Sequence, residues 1–159
     1  MQYRNHIEKA IAQKKQNKKL VQKLKKLSSK KLDNAFRENH DEVFEEIDCL
    51  SCANCCKTTS PIFRGVDIER LSKRLKISTA EFIENYLQID SDTDYVLKSS
   101  PCFFLQDDNK CSVYEDRPLA CKEYPHTNRK KMHQILNLSL KNTEICPAVA
   151  QIFENLRNI

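Results

Sequence analysis

Four cysteines fall within eight consecutive positions of the segment DCLSCANCCKT, at Cys49, Cys52, Cys55 and Cys56. Thiolates act as nucleophiles, redox groups and metal ligands, and thiols this dense in a reducing compartment point to metal or redox chemistry. The C-x2-C-x2-C spacing lets one tight loop aim the sulfurs of Cys49, Cys52 and Cys55 at a common centre. The same spacing supplies three ligands of a four-iron cluster in bacterial ferredoxin-type sequences. Cys56 follows immediately, projects differently from Cys55 and is available to a second site. A disulfide between the adjacent Cys55 and Cys56 would be strained, which weighs against an oxidised pair.

Four further cysteines, Cys102, Cys111, Cys121 and Cys146, stand at expected structural joints. Eight thiolates match two four-sulfur sites in number. A 4Fe–4S cluster takes four cysteines, and a structural zinc holds up to four in a tetrahedron at about 2.3 Å. The spacing therefore points to metal and leaves iron–sulfur and zinc both open. The plainer reading of Cys102, Cys111 and Cys121 is as small buried hydrophobes, a common fate of free cysteine.

The elements that must position these thiols follow from apolar periodicity. Ile7, Ile11, Leu20, Leu24 and Leu27 predict one amphipathic helix over the first part of the chain, and a break at Ser28-Ser29 precedes a second that delivers the chain to the cysteines. Asp67 is placed to cap a helix carrying Ile68, Leu71 and Leu75, and Ser78 with Glu81 reads as a capping box. Runs at Tyr95–Leu97, Cys102–Leu105 and Cys111–Tyr114 flank the turn-forming QDDNK and predict a β-hairpin there. Pro118 and Pro147 each suit the first turn of a short helix. TNRKKMHQILNLSLKNTE is ambiguous between strand and helix.

Taken together, CLSCANCC, PCFFLQDDNKCSVYEDRPLACKEYP and ICP resemble the YkgJ-like CxxCxxCC cysteine-cluster family over about Cys49 to Pro147. That family carries zinc- or iron-chelating and iron–sulfur oxidoreductase labels. The resemblance implies a metal-binding protein and, residue by residue, assigns the family's motif cysteines to Cys49, Cys52, Cys55, Cys56, Cys102, Cys111 and Cys121, with Cys146 as a further match. A related cysteine-cluster region in flagellin lysine methylases extends the implied roles to protein modification. Gly65 is the only glycine, so turns that favour glycine must use Ala53, Asn54 and Asn109.

A single glycine also excludes a Walker phosphate loop and a Rossmann fingerprint. The four histidines are scattered, and His126 alone is a candidate spare ligand or proton donor. Arg117 either donates to thiolates and acidic neighbours or braces the turn before Pro118.

Charge is divided unevenly. Residues 1 to 31 hold 11 Lys or Arg and one acid, Glu8, whereas the whole chain of 159 residues carries a net charge of +5. This basic arm suits either a plainly solvated helix or contact with an anionic partner such as nucleic acid, a ribosome or a membrane surface. With no apolar run long enough for a signal-peptide core or a membrane span, a cytoplasmic location is expected.

The expectation is a small, mainly α-helical, metal-stabilised domain with a short antiparallel β-hairpin: a basic helical arm over 1–31 and a cysteine-cluster domain over 32–159. Its expected role is iron–sulfur binding with electron transfer. The alternative is a structural zinc module whose basic arm docks on an acidic partner.

Overall fold

The structure, a computed structural model, describes residues 3–158. In chain order the elements are α1 (Arg4–Ala12), α2 (Lys14–Leu24), α3 (Ser29–Glu46), α4 (Cys49–Cys52), α5 (Asn54–Thr58), α6 (Gly65–Leu75), α7 (Thr79–Tyr86), β1 (Leu87–Ile89), β2 (Tyr95–Leu97), α8 (Leu119–Glu123), α9 (Leu136–Asn142) and α10 (Pro147–Arg157). Two 3-10 turns, Tyr114–Asp116 and Met132–Ile135, precede α8 and α9. The chain divides into two compact units, one of Met1–Cys52 with Pro125–Ile159 and one of Ala53–Tyr124.

The first unit is helical. The amphipathic pattern of the basic segment buries Ile7, Ala10, Leu20, Val21 and Leu24, and α1 and α2 pack against α10. Leu32, Phe36 and Val43 of α3 join Val149, Ile152, Phe153 and Leu156 of α10, with the rings of Phe36 and Phe153 edge to face at 6.3 Å. Each such fully buried side chain contributes about 1.5–3 kcal/mol. The single helix expected from Ile7 to Leu27 is broken at Gln13, whose φ of −102° and ψ of 23° leave the helical region. The break has a partner, since Arg157 donates from Nη2 to Gln13 Oε1 and from Nη1 to the buried Asn17 Oδ1 at 2.9 Å. The lysines between these apolar positions face outward, apart from Lys9 paired with Glu154 and Lys14 with Glu144. Ser28 caps α3 by accepting from Lys31 N–H at 3.2 Å. The ambiguous segment is helical, because Asp33 accepts from the N–H groups of Lys131 and Met132, both at 2.9 Å, and so starts its first turn.

The second unit surrounds a separate core of Phe63, Ile68, Leu71, Phe82, Leu87, Leu97, Phe104 and Val113, against which Cys102 and Cys111 pack. Phe82 and Phe104 stack with centroids 6.2 Å apart. The predicted capping by Ser78 is present, its side chain accepting from Glu81 N–H at 3.1 Å. The antiparallel hairpin is present but sits elsewhere than expected. β1 pairs with β2 in the register Leu87↔Leu97, Gln88↔Val96 and Ile89↔Tyr95, which turns both leucines into the core. Its turn is set by Asp90, whose Oδ1 accepts from the N–H groups of Asp92 and Asp94. Around QDDNK only one bridge forms, Leu105↔Cys111. Cross-strand bonds flank it, Gln106 N–H to the Lys110 carbonyl and Ser112 N–H to the Phe104 carbonyl, both at 2.8 Å, and turns bound it: Leu105 N–H bonds the Cys102 carbonyl, and Tyr114 begins a 3-10 turn.

Candidate metal centre

The CxxCxxCC run consists of two single helical turns joined by a reversal. α4 carries Cys49 and Cys52, Ala53 adopts the left-handed region with φ of 50°, and α5 carries Cys55 and Cys56. Asn109 is likewise left-handed, with φ of 66°, whereas Asn54 is helical. The boundary between the units falls at this reversal, so the run contributes cysteines to both.

In the second unit Cys56, Cys102, Cys111 and Cys121 stand on four segments. Cys56 stands on α5, and its backbone carbonyl accepts from Cys102 N–H at 2.8 Å, which ties PCFFL to the cysteine run. Cys111 lies on the bridge opposite Leu105, and Cys121 lies on α8. The thiolate charges of Cys102, Cys111 and Cys121 each interact with that of Cys56, and Cys121 also with Cys102 and Cys111.

Burial pushes the thiols of Cys102 and Cys111 up, and that of Cys121 up to about 12. The Cys56 thiol is raised first by its hydrogen bond with Cys55 and then by burial. Opposing these effects, the N–H groups of Phe104 and Leu105 favour the thiolate of Cys102, and that of Val113 favours the thiolate of Cys111. Arg117 favours the thiolates of Cys111 and Cys121 electrostatically. Arg117 also braces the turn, donating to the Tyr114 carbonyl at 2.7 Å with its guanidinium 3.9 Å from the Tyr114 ring centroid. The bracing reading of this arginine is the one its hydrogen bond bears out.

A polar clamp that sequence reasoning missed fixes the loop between Cys111 and Cys121. Asp67 is wholly buried at the start of α6 and accepts from Arg64 N–H at 2.9 Å, from the Arg64 guanidinium, from Arg70 Nη2 at 2.9 Å and from Leu119 N–H at 3.3 Å. Burial alone would raise this carboxyl, but the four sets of donors outweigh it and hold Asp67 well below the usual carboxylate range. Arg70 also donates to the carbonyls of Asp116 and Arg117, and Arg74 to Asp116 Oδ2 and the Ser112 carbonyl. The signal was the spacing Arg64, Asp67, Arg70, Arg74, which places these side chains along one stretch of α6. Asp67 was expected only as a local cap, and it acts from the third residue of the helix.

The first unit holds Cys49, Cys52 and Cys146. Cys146 precedes Pro147, and its N–H bonds the Asn142 carbonyl at 2.8 Å. Burial raises its thiol to about 12, the charges of Cys49 and Cys52 add to the rise, and the N–H groups of Val149 and Ala148 at the start of α10 oppose it. Cys49 is exposed and Cys52 buried. His126 is half-buried in this unit with φ of 64°, whereas Cys121 belongs to the other. None of the eight cysteines is in a disulfide.

Among the described residues no group of three or more His, Cys, Asp or Glu side chains stands close enough together to hold a metal ion. The fit to metal is one of donor chemistry. Thiols gathered from separate segments repel one another as thiolates, and bound Zn²⁺ or iron neutralises that charge. N–H groups already directed at sulfur stabilise the same anionic form.

Among the described residues no helix is long and apolar enough to cross a membrane. No solved structure matches the chain. Over 82 residues it is 29% identical to the uncharacterized protein MJ0661 of Methanocaldococcus jannaschii, a match covering 50% of this chain and 44% of that protein. The chain thus spans less than half the length of this relative. The family model CxxCxxCC, described as "Putative zinc- or iron-chelating domain", matches residues 48–147. With well over half its length matched, the chain belongs to the CxxCxxCC family of zinc- or iron-chelating domains.

Proposed function

We propose that this protein binds an iron–sulfur cluster through cysteine thiolates and serves as a one-electron carrier. The observation that carries the reading is that Cys56, Cys102, Cys111 and Cys121 stand on four segments of one unit, with Cys102 N–H bonded to the Cys56 carbonyl at 2.8 Å and the four thiols coupled electrostatically. A 4Fe–4S cluster takes four cysteine ligands, and its potential is set by burial and by hydrogen bonds to sulfur, both of which these residues supply. When bound, the cluster provides the change of valence that zinc lacks. The protein's own residues hold the thiolates together, shield them from water and place Arg117 beside Cys111 and Cys121. The test is iron, zinc and acid-labile sulfide per chain in protein purified without oxygen. Iron with equal sulfide supports the reading. Zinc without sulfide overturns it and makes the domain a structural zinc module.

A further inference from the structure

We propose that the first unit carries a docking surface for double-stranded nucleic acid, formed by the outward face of α2, the first turn of α3 and residues 129–131, whose cations hold the phosphate backbone. The surface contains no thiol, and the inference is independent of the metal that the thiols hold.

Asn17, Leu20, Val21 and Leu24 form the buried stripe of α2, which leaves Lys15, Lys18, Lys19 and Lys23 on its exposed side. Residues 15–31 hold eight lysines and no acid, and all eight are exposed. Among the described residues none of the eight enters an ion pair, since the pairs Arg4–Glu8, Lys9–Glu154 and Lys14–Glu144 use cations that precede them. The fold adds cations from far along the chain. Asp33 accepts from the N–H groups of Lys131 and Met132, both at 2.9 Å, and Ser29 Oγ lies 3.4 Å from His133 Nδ1. These contacts bring the exposed Arg129, Lys130 and Lys131 to the end of α3 that carries Lys30 and Lys31. Asp33 is the acid of that end, and each of its oxygens already accepts from one N–H group. Asp41, Glu42, Glu45 and Glu46 occupy the opposite end of α3, so positive charge is concentrated on one side.

The chemistry of the surface selects its occupant. Charge alone sustains binding to a phosphate backbone, which presents one negative charge per about 1.7 Å of duplex axis. The 11 residues of α2 extend about 16 Å, the length of about five phosphates of one strand. A protein partner is anchored through aromatic and apolar side chains, with lysine depleted from the contact. Neither residues 15–31 nor residues 129–131 include an aromatic side chain, which also leaves nothing for single-stranded bases to stack on. A membrane surface would need the apolar face of the amphipathic helix. That face is buried in the fold, where α2 packs against α9 and α10, and Ile11 is the one exposed large apolar residue among the described residues of the basic arm.

The test titrates the full-length protein into fluorescently labelled DNA and RNA duplexes of mixed sequence, about two helical turns long, and follows anisotropy across a range of salt. Both duplexes are expected to bind, because the phosphates are common to both. Affinity should fall about a thousandfold between about 50 and 200 mM salt, the loss that accompanies about six phosphate contacts. Absence of binding to either duplex at about 50 mM salt overturns the proposal, and so does binding that salt changes less than about tenfold. Tighter binding to poly-glutamate, to single strands of the same sequence, or to vesicles of equal parts phosphatidylserine and phosphatidylcholine would also overturn it.

Two variants locate the surface. Lys30→Gln/Lys31→Gln and Arg129→Gln/Lys130→Gln each remove two exposed cations, and each is expected to reduce the slope of log affinity against log salt by about two. Helical circular dichroism and metal content, both expected to match wild type, show that the fold is kept. An unchanged slope in the folded Arg129→Gln/Lys130→Gln protein would overturn a surface shared between the two segments.

Discussion

Asp67 accepts a hydrogen bond from the backbone N–H of Leu119 at 3.3 Å and so joins the first turn of α6 to the segment between Cys111 and Cys121. Arg64 and Arg70 donate to the same carboxylate, so this one side chain ties three segments together. Asp67→Asn keeps the shape and removes the charge, leaving the arginines without their buried anion. The expected loss is about 3 kcal/mol, at the lower end for a broken buried pair because both arginines are partly exposed. Urea unfolding of the two proteins checks it. Because the folded carboxyl titrates below its unfolded value of about 3.9, its contribution is complete above that pH and fades as pH falls through the folded value. The gap between wild type and variant should therefore narrow below about pH 4.

His40 behaves in the same sense at higher pH. Its ring nitrogen Nδ1 lies 2.8 Å from the buried Thr127 hydroxyl, and burial lowers its pKa despite the opposing charge of Asp41. Below about pH 6.5 the unfolded chain takes up a proton that the folded one resists, so acidification costs stability. His40→Gln should lose less stability than wild type between pH 7.5 and 5.5, read from unfolding midpoints.

Ala53 holds a left-handed conformation at the turning point of the cysteine run. That region costs an L-residue about 1–2 kcal/mol, and glycine enters it freely at a somewhat smaller entropic cost. Ala53→Gly should stabilise the metal-loaded protein by about 0.5 kcal/mol with unchanged metal content, measured by urea midpoint and metal analysis.

The raised thiols of Cys102, Cys111 and Cys121, together with Cys56, are protonated at neutral pH in the metal-free protein. Metal binding must displace those protons. Zinc added to metal-free protein at pH 7 should release about four protons per ion bound at this set, read by calorimetry in buffers of different ionisation enthalpy. A value near one would mean that most of these thiols are not ligands.

What the sequence made legible was local. Apolar periodicity gave α3, α6, α7 and α10, and Ser28, Ser78 and Pro147 marked their starts, because caps and amphipathic faces are written within a few residues. The pairing expected around QDDNK is cut to one bridge with a cross-strand bond on either side, because the residues beyond it spend their backbone groups on turns and on the carbonyl of Cys56, while the Asp-rich turn at Asp90 closes Leu87–Ile89 onto Tyr95–Leu97 as the longer hairpin. The break at Gln13 depends on Arg157, 144 residues away. The cysteines were visible as a set, but the reversal at Ala53 that divides the run was not, because the spacing does not record it.

X-ray absorption at the metal edge of protein purified without oxygen tests directly whether cysteines hold the metal. A first shell composed of sulfur at about 2.3 Å is expected. A shell dominated by oxygen or nitrogen would contradict it.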